Sequence, residues 1–139
     1  MQGQHRQAIL KRKMPSPRLP DAAALQDFHR AVRRHFEAQI ASERSASAAR
    51  RAALIPRVRG GLELARAQGL CGRAWLFGSY AWGEPGERSD IDIFVEGRAD
   101  TIAIASLVGR ACGLDVHVVD SDEAPESLRA RVASEGQPL

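Results

Sequence analysis

Aromatic residues and cysteines are scarce in this sequence, and each shortage excludes a class of protein. Tryptophan, tyrosine and phenylalanine make up seven of the 139 residues, too few for a nucleic-acid surface built from many stacked rings. The two cysteines, Cys71 and Cys112, lie outside any CxxC pattern and indicate neither a disulfide framework nor a zinc site. We therefore expect a reduced, cytoplasmic compartment.

Long apolar runs are also missing. The longest nearly apolar stretch covers the seven residues from Ile102 to Val108 and contains Ser106. A bilayer span needs about 20 apolar residues, so the sequence predicts no membrane association. No apolar segment or cleavage site follows the basic N-terminus, so we expect no secretory signal.

Charge is present in quantity and is divided unevenly along the chain. Residues 1–60 carry thirteen Lys and Arg against four Asp and Glu, whereas residues 61–139 carry seven against thirteen. The formal net charge of +3 therefore combines a half of +9 with a half of −6. The basic half has three interpretations: a solvated helical face and tail, which we favour, a surface that docks an acidic partner, or an electrostatic contact with nucleic acid. Nothing in it resembles a helix-turn-helix pattern.

The basic half is predicted to contain an arm and a helical extension. Residues 1–20 are rich in Gln, Lys, Arg and Pro, which predicts a flexible basic arm, and Met14 is an alternative start. Residues 21–60 form the helical extension. Its apolar residues recur at spacings of three and four, as on one stripe of a helix: Leu25, Phe28, Val32, Phe36 and Ile40. Serines follow Ile40, and we expect a break there and then a second helix with Pro56 in its first turn and Gly69 or Gly72 at its end.

The acidic half, residues 61–139, is predicted to form one α/β or α+β domain with a small mixed sheet. Alternating or apolar runs predict strands at Ala74–Phe77, Asp90–Val95 and Leu114–Val119. A helix between the last two strands has Asp100 as its N-cap and Gly113 as its stop. A final helix begins at Pro125, so the pattern predicts a sheet with helices packed on it.

Two carboxylates stand two residues apart in the second predicted strand. Alternation places Asp90 and Asp92 on one face of the strand and Ile91 and Ile93 on the other. Two close carboxylates repel each other, and a divalent cation bound by oxygen ligands, Mg²⁺ or Mn²⁺, would keep both ionised. The alternative is an acidic pair on a solvated strand face.

A Gly-Ser pair follows the first predicted strand. Gly78 allows the backbone to approach a ligand closely, and Ser79 adds a hydroxyl donor at the start of a helical turn, a combination that suits phosphate. The alternative is an ordinary turn between a strand and a helix.

Asp115 lies near the start of the third predicted strand. If that strand runs beside the Asp90 strand, Asp115 joins the other two carboxylates, and three carboxylates suit metal-assisted nucleotidyl transfer. The alternative is an aspartate bonded to local backbone. His117 would share its face but has no necessary role there, and Asp120-Ser-Asp122 is expected to form a turn and a cap.

Together these residues resemble a known family. Gly78-Ser79, ten intervening residues and then Asp90-Ile91-Asp92 are similar to the motif of the nucleotidyltransferases related to DNA polymerase β, in particular the minimal nucleotidyltransferase group. The resemblance covers about residues 62–139. It implies the nucleotidyltransferase fold, with Gly78 and Ser79 holding the triphosphate of ATP, and with Asp90, Asp92 and Asp115 as a catalytic triad that binds Mg²⁺ or Mn²⁺.

The resemblance also implies a partner. Members of the minimal group commonly occur with a HEPN-domain protein, and some act as antitoxins by transferring AMP from ATP to a tyrosine of that protein. Two other functions remain open: a non-catalytic binding module that neutralises a toxin by contact, and a nucleotidyltransferase for a small molecule such as an antibiotic. We disfavour the last, because little chain is left for a domain that binds a separate acceptor.

Overall fold

The computed structural model describes Leu19 and residues 21–139. Their contacts divide into two units, with the boundary between Gln39 and Ile40. The predicted arm lies outside the described residues except for Leu19, and so does Met14. The described elements, in chain order, are α1 (Ala22–Ala67), β1 (Ala74–Phe77), α2 (Ser79–Trp82), β2 (Ile91–Val95), α3 (Thr101–Cys112), β3 (Val116–Asp120), α4 (Glu126–Glu135) and β4 (Gln137–Pro138).

The first unit contains the N-terminal part of α1. The helix begins with a cap, because Asp21 Oδ1 accepts a hydrogen bond from the Ala24 backbone N–H at 2.7 Å. The periodicity correctly predicts a helix here. Its apolar stripe is exposed, with Phe28 and Phe36 retaining 62% and 57% of their accessible surface.

The predicted break after Ile40 is wrong, since α1 continues to Ala67 with Pro56 inside it. Proline removes one N–H from the helical ladder, but α1 continues on both sides of it. Ser47 does not disrupt the helix either, because its hydroxyl donates to the distant Pro85 carbonyl at 3.0 Å. The predicted end is confirmed: Gly69 follows the helix with a φ of 72°, a left-handed conformation that glycine adopts without strain.

The second unit is built on a four-stranded mixed sheet with the order β3-β2-β1-β4. Strand β1 pairs antiparallel with β2 and with β4, while β2 and β3 are parallel and are connected through α3. The mixed α+β class is as predicted, and β1 has the predicted bounds. The two-residue β4 was not predicted, because it is too short to show alternation.

The sheet buries apolar side chains on both faces. One face packs against α1 and α3 through residues that include Leu62, Ile93 and Val108. The other face carries a smaller cluster of Phe77, Phe94, Ala124 and Val132, to which α4 contributes. The caps of α3 are as predicted, since Asp100 Oδ1 accepts from Ala103 N at 3.1 Å and Gly113 ends the helix in the left-handed region. No helix among the described residues has the length and apolar character to cross a membrane.

Candidate active site

The Gly-Ser pair lies at the end of β1, in a conformation that only glycine adopts readily. Gly78 has φ 71° and ψ −151°, and the one-turn helix α2 follows it, with Ala81 N and Trp82 N each donating to the Gly78 carbonyl at 3.0 Å. A Cβ added to Gly78 would collide with Asp92 Oδ2 and would lie 3.1 Å from Asp92 Cγ. The backbone of the Gly-Ser turn is therefore packed directly against a carboxylate of the Asp-x-Asp motif.

Strand β2 positions that carboxylate. Asp92 pairs with Phe77 in the antiparallel register, so the end of β1 and the middle of β2 lie side by side. Ile91 and Ile93 are buried on the opposite face, as the alternation predicts. Asp92 is half-buried, with 25% of its side chain exposed. Asp90 is exposed and lies directly before β2, which begins one residue later than predicted.

The electrostatics of Asp92 disfavour its ionised form. Burial raises the pKa of the Asp92 carboxyl above its ordinary value of 3.8, the neighbouring His117 lowers it, and the charge of Asp90 raises it further. A half-buried carboxylate next to a second carboxylate is a site where bound positive charge is stabilising.

Strand β3 places a histidine beside this carboxylate. The parallel register pairs Asp92 with His117, and His117 Nδ1 lies 3.5 Å from Asp92 Oδ1. Asp115 is exposed before the start of β3, where its backbone carbonyl accepts from Ile91 N at 3.0 Å. The structure thus places Asp115 near the Asp90 end of β2 and His117 at the Asp92 position.

Two aspartates of this site have the oxygen ligands that a hard divalent cation prefers. Asp90, directly before β2, and Asp92, within β2, offer carboxylate oxygens, which are the ligands that Mg²⁺ and Mn²⁺ prefer. Within residues 21–139, no three His, Cys, Asp or Glu side chains are gathered closely enough to hold a metal ion. The assignment of Asp115 as a third ligand therefore stays a prediction.

An open cleft of about 910 Å³ lies at the same end of the sheet. Asp90 and Asp115 both line it, together with Arg88 and Arg110. Asp92 and the Gly-Ser turn are not part of its lining. Asp90 is thus the residue shared by the cleft and the Asp-x-Asp motif.

Four hydrogen bonds to this region come from three residues without a predicted role. Ser47, Arg50 and Arg51 of α1 donate hydrogen bonds to carbonyl groups of the loop between Ser79 and Asp90. Sequence offers no specific signal for them, because arginines on an exposed helix usually contact solvent. The only available hint was the basic charge of residues 1–60.

The comparison with family models decides the identity of the domain. The model described as polymerase beta, nucleotidyltransferase, matches residues 65–139. The chain belongs to this family. The resemblance that the motifs imply is confirmed, and the protein is a nucleotidyltransferase enzyme.

Three solved structures are similar in sequence to this chain. A chain designated a minimal nucleotidyltransferase is 31% identical, with 64% of this chain and 95% of that chain covered and a TM-score of 0.56. A chain of the toxin-antitoxin pair MntA-HpeT is 30% identical over 58% of this chain and 70% of that chain, with a TM-score of 0.49. A toxin-antitoxin structure with AMP-PNP is 33% identical over 55% and 67%, with a TM-score of 0.47. A search of the curated proteins finds no match.

Proposed function

We propose that this nucleotidyltransferase transfers AMP from ATP to a hydroxyl group of a protein partner, and that it acts as the antitoxin of a HEPN-domain protein. The observation that best supports nucleotidyl transfer at this site is the packing of the Gly78 backbone against the Asp92 carboxylate. It brings the turn suited to a triphosphate next to the carboxylates suited to a cation. The choice of ATP and of a HEPN partner follows from the resemblance to the minimal group.

In the proposed site, Asp90 and Asp92 hold Mg²⁺ or Mn²⁺, and Gly78 and Ser79 bind the triphosphate. The cation supplies positive charge against the phosphate oxygens when it is bound. The oxygen of the acceptor hydroxyl forms a bond with the α-phosphorus while the bond between that phosphorus and the bridging oxygen breaks, and pyrophosphate leaves. Asp115 takes the proton of the acceptor hydroxyl.

The test uses two differently labelled forms of ATP. The purified protein is incubated with Mg²⁺ and a HEPN-domain protein as the candidate partner, with the label in the α-phosphate or in the γ-phosphate. We expect the α-label on the partner and no γ-label, because AMP and not phosphate is transferred. Removal of Mg²⁺ with a chelator is expected to stop the labelling.

Three outcomes would contradict the proposal. Transfer of the γ-label would indicate a phosphoryl transferase. If no label reaches the partner, and the double variant Asp90→Asn, Asp92→Asn still neutralises the toxin in cells, the chain acts as a binding module and not as an enzyme on this partner. Labelling of an added aminoglycoside in place of the protein would favour the small-molecule function.

Asp115→Asn tests the third carboxylate. Asp115 lines the same cleft as Asp90, which supports its proposed contact with the acceptor. A general base contributes about 10²–10⁴ to a rate, so we expect kcat to fall about 100-fold or more with little change in KM for ATP. Glu96→Gln, an exposed position directly after β2, is the matched control and should retain wild-type kcat. Wild-type kcat in Asp115→Asn would remove this residue from the mechanism.

A further inference from the structure

Arg51 of α1 holds both ends of the turn that follows the Gly-Ser pair. Its Nε donates to the Tyr80 carbonyl and its Nη2 to the Gly83 carbonyl, both at 2.9 Å. The arginine is half-buried, so these bonds are partly shielded from water. The planar guanidinium provides two donors in a fixed geometry, and a lysine would provide a single point charge.

A second pair of contacts fixes the next residues of the loop. Ser47 Oγ and Arg50 Nη1 donate to the same Pro85 carbonyl, at 3.0 and 3.1 Å. Ser47 and Pro85 are both buried. The ion pairs Arg44–Glu84 and Arg50–Glu87, at 3.4 and 3.7 Å, each include an exposed glutamate and contribute little.

The loop needs such support, because α2 is only four residues long. A helix of one turn is not stable by itself, and its last carbonyls have no partners within the helix. Tyr80 is buried in the core on one side, and Trp82 packs on Phe77 and under the Arg131 guanidinium, 4.2 Å from the ring centroid, on the other. Arg51 supplies a partner for the Tyr80 carbonyl of α2 and for the Gly83 carbonyl that follows it.

These contacts come from outside the family domain. The family match begins at residue 65, whereas the donors lie at residues 47–51. They fix the segment that connects the Gly-Ser turn to Asp90. A helical segment beyond the matched domain thus orders the loop that carries the candidate phosphate-binding turn.

We propose that Arg51 is a positioning residue for the nucleotide site: by holding the Tyr80 and Gly83 carbonyls, it fixes the orientation of the Ser79 turn toward the triphosphate. The proposal rests on the proposed function insofar as Gly78 and Ser79 bind the triphosphate. It assigns a role in catalysis to part of the basic N-terminal half.

The test compares Arg51→Met, which keeps the aliphatic stem and removes the donors, with Arg51→Lys and with Arg59→Met, an exposed arginine of the same helix. We expect Arg51→Met to raise KM for ATP, and the Kd of a fluorescent ATP analogue, by about tenfold, the effect of losing one hydrogen bond from the Ser79 turn to the charged triphosphate. Arg51→Lys should recover part of the affinity, and Arg59→Met should match the wild type.

A spectroscopic measurement reports on the loop itself. The chain has two tryptophans, so Trp75→Phe leaves Trp82, next to Gly83, as a single fluorescent probe. We expect Arg51→Met in this background to lower the fluorescence anisotropy of Trp82 and to shift its emission to longer wavelength at temperatures well below unfolding. Arg59→Met should change neither.

The outcomes separate this inference from the function on which it rests. If neither wild type nor variant transfers AMP, yet Arg51→Met changes Trp82 emission and nucleotide Kd, the positioning role stands and the proposed transfer fails. If Arg51→Met transfers AMP with unchanged KM and unchanged Trp82 emission, the inference is overturned. A lower melting temperature with unchanged KM, Kd and emission also overturns it, because the arginine would then be only structural.

Discussion

Asp92→Asn is expected to slow nucleotide transfer by about 100-fold or more while making the metal-free protein more stable. Asp92 is the carboxylate packed against the Gly78 backbone, and the amide of asparagine is a much weaker ligand for a divalent cation. A metal that stabilises transition-state charge contributes several kcal/mol, so we expect kcat/KM to fall by about 100-fold or more. Asp90→Asn, at a more exposed ligand position, should give a loss of similar size. The measurement is the rate of α-label transfer at saturating Mg²⁺.

The gain in stability follows from the direction of the pKa shift. Burial raises the pKa of Asp92 in the folded protein above its ordinary value of 3.8, so the folded state disfavours the ionised form. This group therefore adds most to stability below pH 3.8 and lowers it as pH rises through the raised pKa. At pH 7 the asparagine variant avoids that cost, and we expect its melting temperature in a chelator to rise by roughly 1–3 °C. Added Mg²⁺ should stabilise the wild type and not the variant.

The second Asp-x-Asp sequence provides a matched control. Asp120 Oδ1 accepts from Glu123 N at 2.8 Å in a turn after β3, as the sequence predicts, and Asp122 is exposed. Asp122→Asn should therefore leave transfer, melting temperature and the effect of Mg²⁺ unchanged. If Asp92→Asn lowered the melting temperature at pH 7, the carboxylate would be a stabilising group, contrary to the burial argument.

The sequence predicts the parts of the fold that short-range chemistry determines. Alternation of Asp and Ile in β2, the Asp100 cap and the Gly113 stop each depend on neighbours within four residues, and the structure has all of them. The continuous α1 could not be predicted locally. Ser47 remains within the helix, and its hydroxyl donates to the Pro85 carbonyl, which is 38 residues away in the sequence.

In the site, too, some features follow from the local sequence and others from the pairing of distant strands. Strand alternation alone predicts that Asp90 and Asp92 share a face. The residue that β3 places opposite Asp92 depends on the register between the two strands. The observed register pairs Asp92 with His117, whereas a register shifted by two residues would pair it with Asp115. Likewise, the conformation of Gly78 is suggested by its residue type, but its contact with Asp92 arises from the pairing of β1 with β2.

Gly78→Ala is expected to damage both the fold and the activity. The φ of 71° and ψ of −151° strain any residue with a Cβ, and the added methyl group would also meet the Asp92 carboxylate. We expect a loss of about 3 kcal/mol, or roughly 10 °C in melting temperature, and at least a 100-fold loss of transfer as the carboxylate is displaced. Thermal unfolding and α-label transfer measure the two effects.

Gly97→Ala is the control for backbone strain without a steric collision. Gly97 has a φ of 77°, and no atom lies within 4 Å of a Cβ added there. It should cost only about 1–2 kcal/mol and leave transfer near the wild-type rate. The collision itself is measured by a double-mutant cycle in which Gly78→Ala is introduced into wild type and into Asp92→Ala. Removing the carboxylate should lower the cost of Gly78→Ala, since the contacts with Asp92 Oδ2 and Cγ are lost while the backbone strain remains. Equal costs of Gly78→Ala in the two backgrounds would mean that the glycine is required for its backbone conformation alone and that the turn does not depend on close contact with Asp92.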